Sequence, residues 1–125
     1  MGLFSKTQKI EFTPWPDPQD KADNVYKRAG RDLRLLEEPT FAPVIEALAA
    51  ASGNAKYLLG RVTVMGDQLV VDSWGQTIGR IQPKQAAQWR GRIRDGWAFG
   101  YYWISNDASR GWHVKEIHID EDRLT

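Results

Sequence analysis

"KYLLGRVTVMGDQLVVDSWGQTIGRI", residues 56–81, changes direction twice. Val62 and Val64 alternate with Arg61 and Thr63, a period of two that places one set of side chains on each face of a strand. Gly66 and Asp67 make a turn signal, "QLVVDS" runs back, "WGQ" makes a second turn, and "TIGRI" adds a third short run with Ile78 and Ile81. β-rich runs joined by short glycine-containing turns read as an antiparallel meander.

The pattern on either side is helical. In "TFAPVIEALAAASG", residues 40–53, Val44, Ile45, Leu48 and Ala51 share a face. Thr40 suits the cap, Pro43 the first turn and Gly53 the stop. Upstream, "DKADNVYKRAG" predicts a short helix ending at Gly30, and "DLRLL" a short strand. Downstream, Pro83 opens a second clear helix with Gln82 near its cap. Ala86, Trp89 and Ile93 form its apolar face and Gly96 its stop. Two further strands follow, "WAFGYYWI" and "GWHVKEIHI", joined by the turn-rich "SNDASRG"; the charged tail "DEDRLT" is expected to fray.

Strands that cluster and do not alternate regularly with helices predict an α+β fold. The expected architecture is a small curled antiparallel β-sheet, or a partly open barrel, of about five strands with two or three helices. Gly60, Gly79 and Gly100 lie inside strands, where they permit bends and bulges. Residues 21–125 read as a single α+β domain. Residues 1–20 read as an extended arm, because "TPWPDPQD" sets Pro14, Pro16 and Pro18 at alternate positions. In that arm Trp15 either docks on the domain or serves as a docking peptide for an aromatic groove.

Composition excludes several classes. The chain has 125 residues, 42% of them hydrophobic, and no cysteine, so disulfides, thiolate nucleophiles and sulfur-ligated zinc are excluded. The start has an apolar patch of only residues 2–4, too short for a secretory leader, and Lys6 breaks the myristoylation pattern. No stretch approaches the length of a membrane span. A soluble, cytoplasmic protein with no membrane partner is expected. The net charge of +1 hides an asymmetry: residues 56–95 carry seven basic and three acidic side chains. A local positive field can attract anions even where the whole is nearly neutral.

No catalytic motif for metalloprotease, serine hydrolase or nucleotide-binding chemistry is present, so no catalytic residue and no cofactor are assigned. Ser73 has no histidine motif pointing to it, and the Glu37–Glu38 pair before Pro39 reads as a solvated loop. His113 and His118 are five apart and fall on opposite faces unless a bulge intervenes. The apolar phase does change between Val114 and Ile117, which predicts a bulge near Lys115–Glu116 that would bring the histidines together. Asp120 and Asp122, the nearby carboxylates, read as a solvated tail, so no metal site is assigned.

Five basic residues, Arg80, Lys84, Arg90, Arg92 and Arg94, occur with no acid among them. On a single helix they surround the solvent side and do not form one stripe. An alternating aromatic run follows at once. Trp97, Phe99, Tyr101 and Trp103 share one parity, and Ala98, Gly100, Tyr102 and Ile104 the other. The second set is too small to fill a core alone, so the aromatic set is expected to be largely buried, with Gly100 able to mark a bulge that turns Tyr101 or Trp103 outward. Trp74, beside Gly75 in a turn, is the expected exposed aromatic.

"VVDSWGQTIGRIQPKQAAQW" resembles the HIRAN domain, a small β-barrel module. The likeness lies in an apolar strand, a turn, the glycines and isoleucines Gly75, Ile78, Gly79 and Ile81, and a Pro83-led helix with Ala86 and Ala87. It spans about residues 41–119. The family's acidic, Asn- and Pro-containing loop is not present; "MGDQLVVDS" stands in its place. The resemblance implies a curled antiparallel barrel that binds single-stranded DNA, notably strand ends.

Beside an enzyme of unrecognised class, two functional readings follow. One is a non-catalytic nucleic-acid-binding module for single-stranded DNA. Arg80, Lys84, Arg90, Arg92 and Arg94 would contact phosphates, and Trp74, Tyr101 or Trp103 would stack on bases. The other is a protein-interaction or accessory structural protein that assembles, with itself or a partner, through its Pro/Trp-containing arm and surface tryptophans.

Overall fold

The computed structural model describes residues 10–13, 18–36, 38–53, 55 and 57–125. Lys6, Pro14, Trp15, Pro16 and Glu37 lie outside the described residues, and with them the proposed docking of Trp15. The helices are α1 (Pro18–Arg28), α2 (Ala42–Ala51) and α3 (Pro83–Trp89). The strands are β1 (Ala29–Leu33), β2 (Leu58–Met65), β3 (Gln68–Ser73), β4 (Gln76–Arg80), β5 (Trp97–Asp107) and β6 (Gly111–Asp120). The fold is α+β. One six-stranded sheet runs in the order β1-β6-β5-β2-β3-β4, and every neighbouring pair is antiparallel.

The sheet curls until its edges meet. Leu35, just past β1, bridges Ile81, just past β4. The Leu36 N–H donates to the Arg80 carbonyl at 2.8 Å, and the Gln82 N–H to Arg34 at 2.9 Å. These bonds occupy backbone groups that an open edge would leave unpaired. Gln85 of α3 pins the seam from outside: its Oε1 accepts from the Arg34 N–H at 2.7 Å and its Nε2 donates to the Asp32 carbonyl at 3.2 Å.

The 56–81 meander folds as its period predicts. Trp74 and Gly75 both take positive φ, 52° and 82°, in the turn between β3 and β4. Such a two-residue turn matches the twist of its strands, but Trp74 is an unusual residue for it. The arm holds it there. The Thr13 N–H donates to the Trp74 carbonyl at 2.7 Å, Gln76 Nε2 donates to Glu11 O, and Phe12 packs edge-on against the Trp74 ring.

Leu58, Val62, Leu69, Val71, Ile78, Ala98, Tyr102, Val114, Ile117 and Ile119 fill the interior. α2 adds Ile45 and Leu48, and α3 adds Ala86. α1 packs outside, where Ala22 and Val25 bury Leu59 in a second, smaller core.

Several boundaries differ from the sequence expectation. Pro18 opens α1, so the arm's last three residues are helical. α1 stops at Arg28, and Gly30 lies within β1 as part of a register shift. Thr40 lies in a 3-10 turn, Pro39–Phe41, and makes no cap. In α2, Ala49 is buried in place of Ala51. The helix from Pro83 ends at Trp89 and gives way to two 3-10 turns, Arg90–Arg92 and Arg94–Gly96. The tail is paired with the rest of the domain. Glu121–Arg123 forms a 3-10 turn, Leu124 bridges Ile93, and the Thr125 N–H donates to the Arg92 carbonyl.

Candidate functional site

β5 alternates as predicted but faces the other way. Ala98, Gly100 and Tyr102 are buried, while Trp97, Phe99, Tyr101 and Trp103 are half-buried on the outer surface. The interior explains the choice. Gly60 and Gly100 face each other across β2 and β5. A Cβ on Gly100 would lie 2.8 Å from Ile117 Cγ1 and 2.9 Å from the His118 carbonyl. Ile117 and Tyr102 already fill the space, so the small set must point inward. A narrow barrel interior accepts small residues opposite large ones.

The outer aromatic row has two chemically different ends. At the Trp97 end the neighbours are guanidinium groups. Arg61 of β2 lies 4.7 Å from the ring centroid of Trp97 and Arg123 lies 4.0 Å from it, both within cation–π range. Arg123 is fixed by hydrogen bonds to the carbonyls of Trp97 and Arg94, and by an ion pair with Asp95. Trp89 has a similar pair, with Arg92 at 4.7 Å and Arg31 at 5.2 Å. The C-terminal segment joins the two groups, because Arg92 Nε donates to Thr125 and Leu124 bridges Ile93.

At the other end the neighbours are a histidine and carboxylates. His118 of β6 stands opposite Tyr101 in the sheet. Its ring stacks on Tyr101, centroids 4.7 Å apart, and on Trp103 at 5.2 Å. His118 Nδ1 is 2.6 Å from Asp32 Oδ1 and Nε2 is 3.2 Å from Glu116 Oε1. Burial, and then the charges of Tyr26, Asp32 and Glu116, raise the Tyr101 phenol above its ordinary value. Tyr57 stacks on Tyr26 and donates to Asp23; that bond is the main reason its phenol is pushed up to about 12.

The predicted bulge is present. Tyr102 pairs with Ile117 and Ile104 with Val114, so β6 carries one extra residue around Lys115–Glu116. It does not bring the histidines together. His113 pairs with Ser105 and His118 with Tyr101, four residues apart along β5, or roughly 13 Å at strand rise. His113 instead meets the Gly111 carbonyl and Asp107.

The other predicted residues scatter. Trp74 is half-buried beneath Phe12, not exposed, and its buried indole N–H has no hydrogen-bond partner among the described residues. Arg80 is bound to Glu38 by Nε and Nη2 at 2.9 and 2.8 Å, so Glu38 is paired and not simply solvated. Lys84 is exposed in the first turn of α3. Arg90, Arg92 and Arg94 are exposed in the 3-10 turns, so positions derived from one continuous helix do not apply to them. Arg92 and Arg94 adjoin the Trp89 and Trp97 groups; Tyr101 and Trp103 lie at the carboxylate end. Ser73 is wholly buried, donating to the Leu59 carbonyl and accepting from Tyr102, which is a structural role. Asp120 is also buried and ion-paired with Arg28, not part of a solvated tail.

Sequence reading missed Arg31, Arg61 and Arg123, because each lies in a different segment from the tryptophan it covers. Arg61 alone left a signal: it shares outward parity with Thr63 in β2, across from the Trp97 parity of β5. Asp32 left none, being 86 positions from His118.

No protein-family profile, curated protein or solved structure matches the chain. Among the described residues no helix is long and apolar enough to cross a membrane.

Proposed function

We propose that the protein is a non-catalytic module that binds single-stranded nucleic acid, in the manner of a HIRAN-like barrel over about residues 41–119. One observation carries this reading. The alternating aromatics of β5 lie outside the barrel, and their Trp97 end sits under two guanidinium groups. Single strands are held by aromatic faces for bases beside cations for phosphates. Trp97 and Trp89 would serve the bases. Arg61, Arg90, Arg92, Arg94 and Arg123 would serve the phosphates, with Arg31 beside Trp89. The Tyr101–Trp103 end is a poorer phosphate track, because Asp32 and Glu116 face it.

The alternative, assembly through the arm and surface tryptophans, has less support. Trp74 is covered by the chain's own Phe12. Tyr26 and Met65, 56% and 58% exposed, stand on different elements and make no broad apolar patch.

The test is fluorescence anisotropy of a labelled single-stranded oligonucleotide over a salt series. Binding is expected to saturate and to weaken steeply as salt rises, because phosphate contacts release counterions. Replacing Arg90 and Arg94 with Ala is expected to lower the salt slope by about 1 per lost phosphate contact. Absence of binding at low salt would overturn the reading.

A further inference from the structure

We infer that Asp32, Glu116 and His118 form a binding site for a divalent transition-metal ion of the zinc class. The inference stands on a different part of the surface from the arginine–tryptophan groups and does not depend on nucleic-acid binding. The three side chains each offer one ligand atom, and these atoms all lie within 4.8 Å of one another. Two donors on one tetrahedral zinc ion are about 3.4 Å apart, given metal–donor lengths near 2.1 Å. Glu116 faces the opposite ring nitrogen from Asp32, so convergence takes a rotation of its flexible side chain. Asp32, with 58% of its side chain exposed, is free to adjust as well.

The histidine is prepared for such a role. Its ring lies against Tyr101 and Trp103, which fixes its plane. The bulge in β6 sits beside Glu116, and β1 brings Asp32 into register with His118. Among the described residues, Asp32 and Glu116 form no ion pair with lysine or arginine; each is ion-paired with His118. A divalent cation would neutralise this pair of carboxylates. Imidazole among the donors favours zinc-like ions over Mg²⁺ and Ca²⁺, which prefer all-oxygen sites. Three protein ligands leave one tetrahedral position for water or an anionic group.

The experiment is titration of the full chain with ZnCl₂ by calorimetry, and with CoCl₂ by visible absorption. One Zn²⁺ per chain is expected, with Co²⁺ giving the d–d absorption of a low-coordinate site. Asp32→Asn and His118→Gln are each expected to weaken Zn²⁺ about tenfold or more, whereas His113→Ala should leave it unchanged. Asp32 is exposed, so its variant tests the site without touching the core. No saturable Zn²⁺ binding would overturn the inference. So would equal binding by Asp32→Asn, or loss of binding in His113→Ala. Displacement of Zn²⁺ by equimolar Mg²⁺ would overturn the assigned ion class.

Discussion

Tyr102 carries the one phenol that enters the barrel interior, and it is satisfied there. Its hydroxyl donates to Ser73 Oγ at 2.6 Å, and Ser73 donates on to the Leu59 carbonyl at 2.7 Å. Burial holds this phenol well above the usual tyrosine range. Tyr102→Phe removes the donor and is expected to cost about 1 kcal/mol. Ser73→Ala leaves the phenol buried and unpaired and is expected to cost about 2 kcal/mol. Urea denaturation of the two variants checks the order, and a smaller cost for Ser73→Ala would contradict it. The glycines offer a second contrast. Gly100→Ala meets Ile117 and a carbonyl, so a loss of about 1–3 kcal/mol is expected. Gly91→Ala meets nothing within 4 Å at an ordinary φ and is expected to be neutral or to stabilise by a few tenths of a kcal/mol. Tyr57 gives a pH test. Its folded pKa of about 12 exceeds the ordinary 10.0, so its contribution is complete below pH 10 and is lost as pH rises through 12. Stability of the wild type should therefore fall more steeply over that window than that of Tyr57→Phe.

At the scale of elements, the legible features were those set by local period. The meander from Leu58, the helix with Ile45 and Leu48, the Pro83 start and the β6 bulge each follow from spacing within one segment. The facing of β5 was not legible in that way. Period two shows that Trp97, Phe99, Tyr101 and Trp103 share a face, but apolar bulk alone assigns that face to the core. What decides it is the contact of Gly100 with Ile117, a residue on the neighbouring strand. The Pro83 helix was overread for a similar reason. Ile93 keeps helical spacing with Ala86 and Trp89, yet it is held in extended backbone by its bridge to Leu124, far away in sequence. The seam between β1 and β4 is likewise a long-range product. Gln85→Ala removes both of its side-chain bonds there, so the Arg34 amide is expected to exchange with solvent faster, by about fivefold for a net loss of roughly 1 kcal/mol. Unchanged exchange at Arg34 would show that Gln85 does not hold the seam.

At the scale of the whole molecule, charge is sorted more finely than the sequence suggests. The basic excess of residues 56–95 is divided by folding: Arg80 goes to Glu38, while Arg92 and Arg94 join Arg31 and Arg123 from opposite ends of the chain. A linear reading finds the first group because it is contiguous. It misses the second because only the curled sheet and the C-terminal segment assemble it. The same curl collects Asp32, Glu116 and His118 at the other end of the aromatic row. We propose that the Trp97 end of this row takes up single-stranded nucleic acid. The most direct measurement follows the indole N–H signals of the tryptophans by NMR while a single-stranded oligonucleotide is added. Shifts at Trp97 and Trp89, with the enclosed Trp74 signal unmoved, are the expected result. No shift at Trp97 at saturating oligonucleotide, or shifts confined to Trp74, would contradict this proposal.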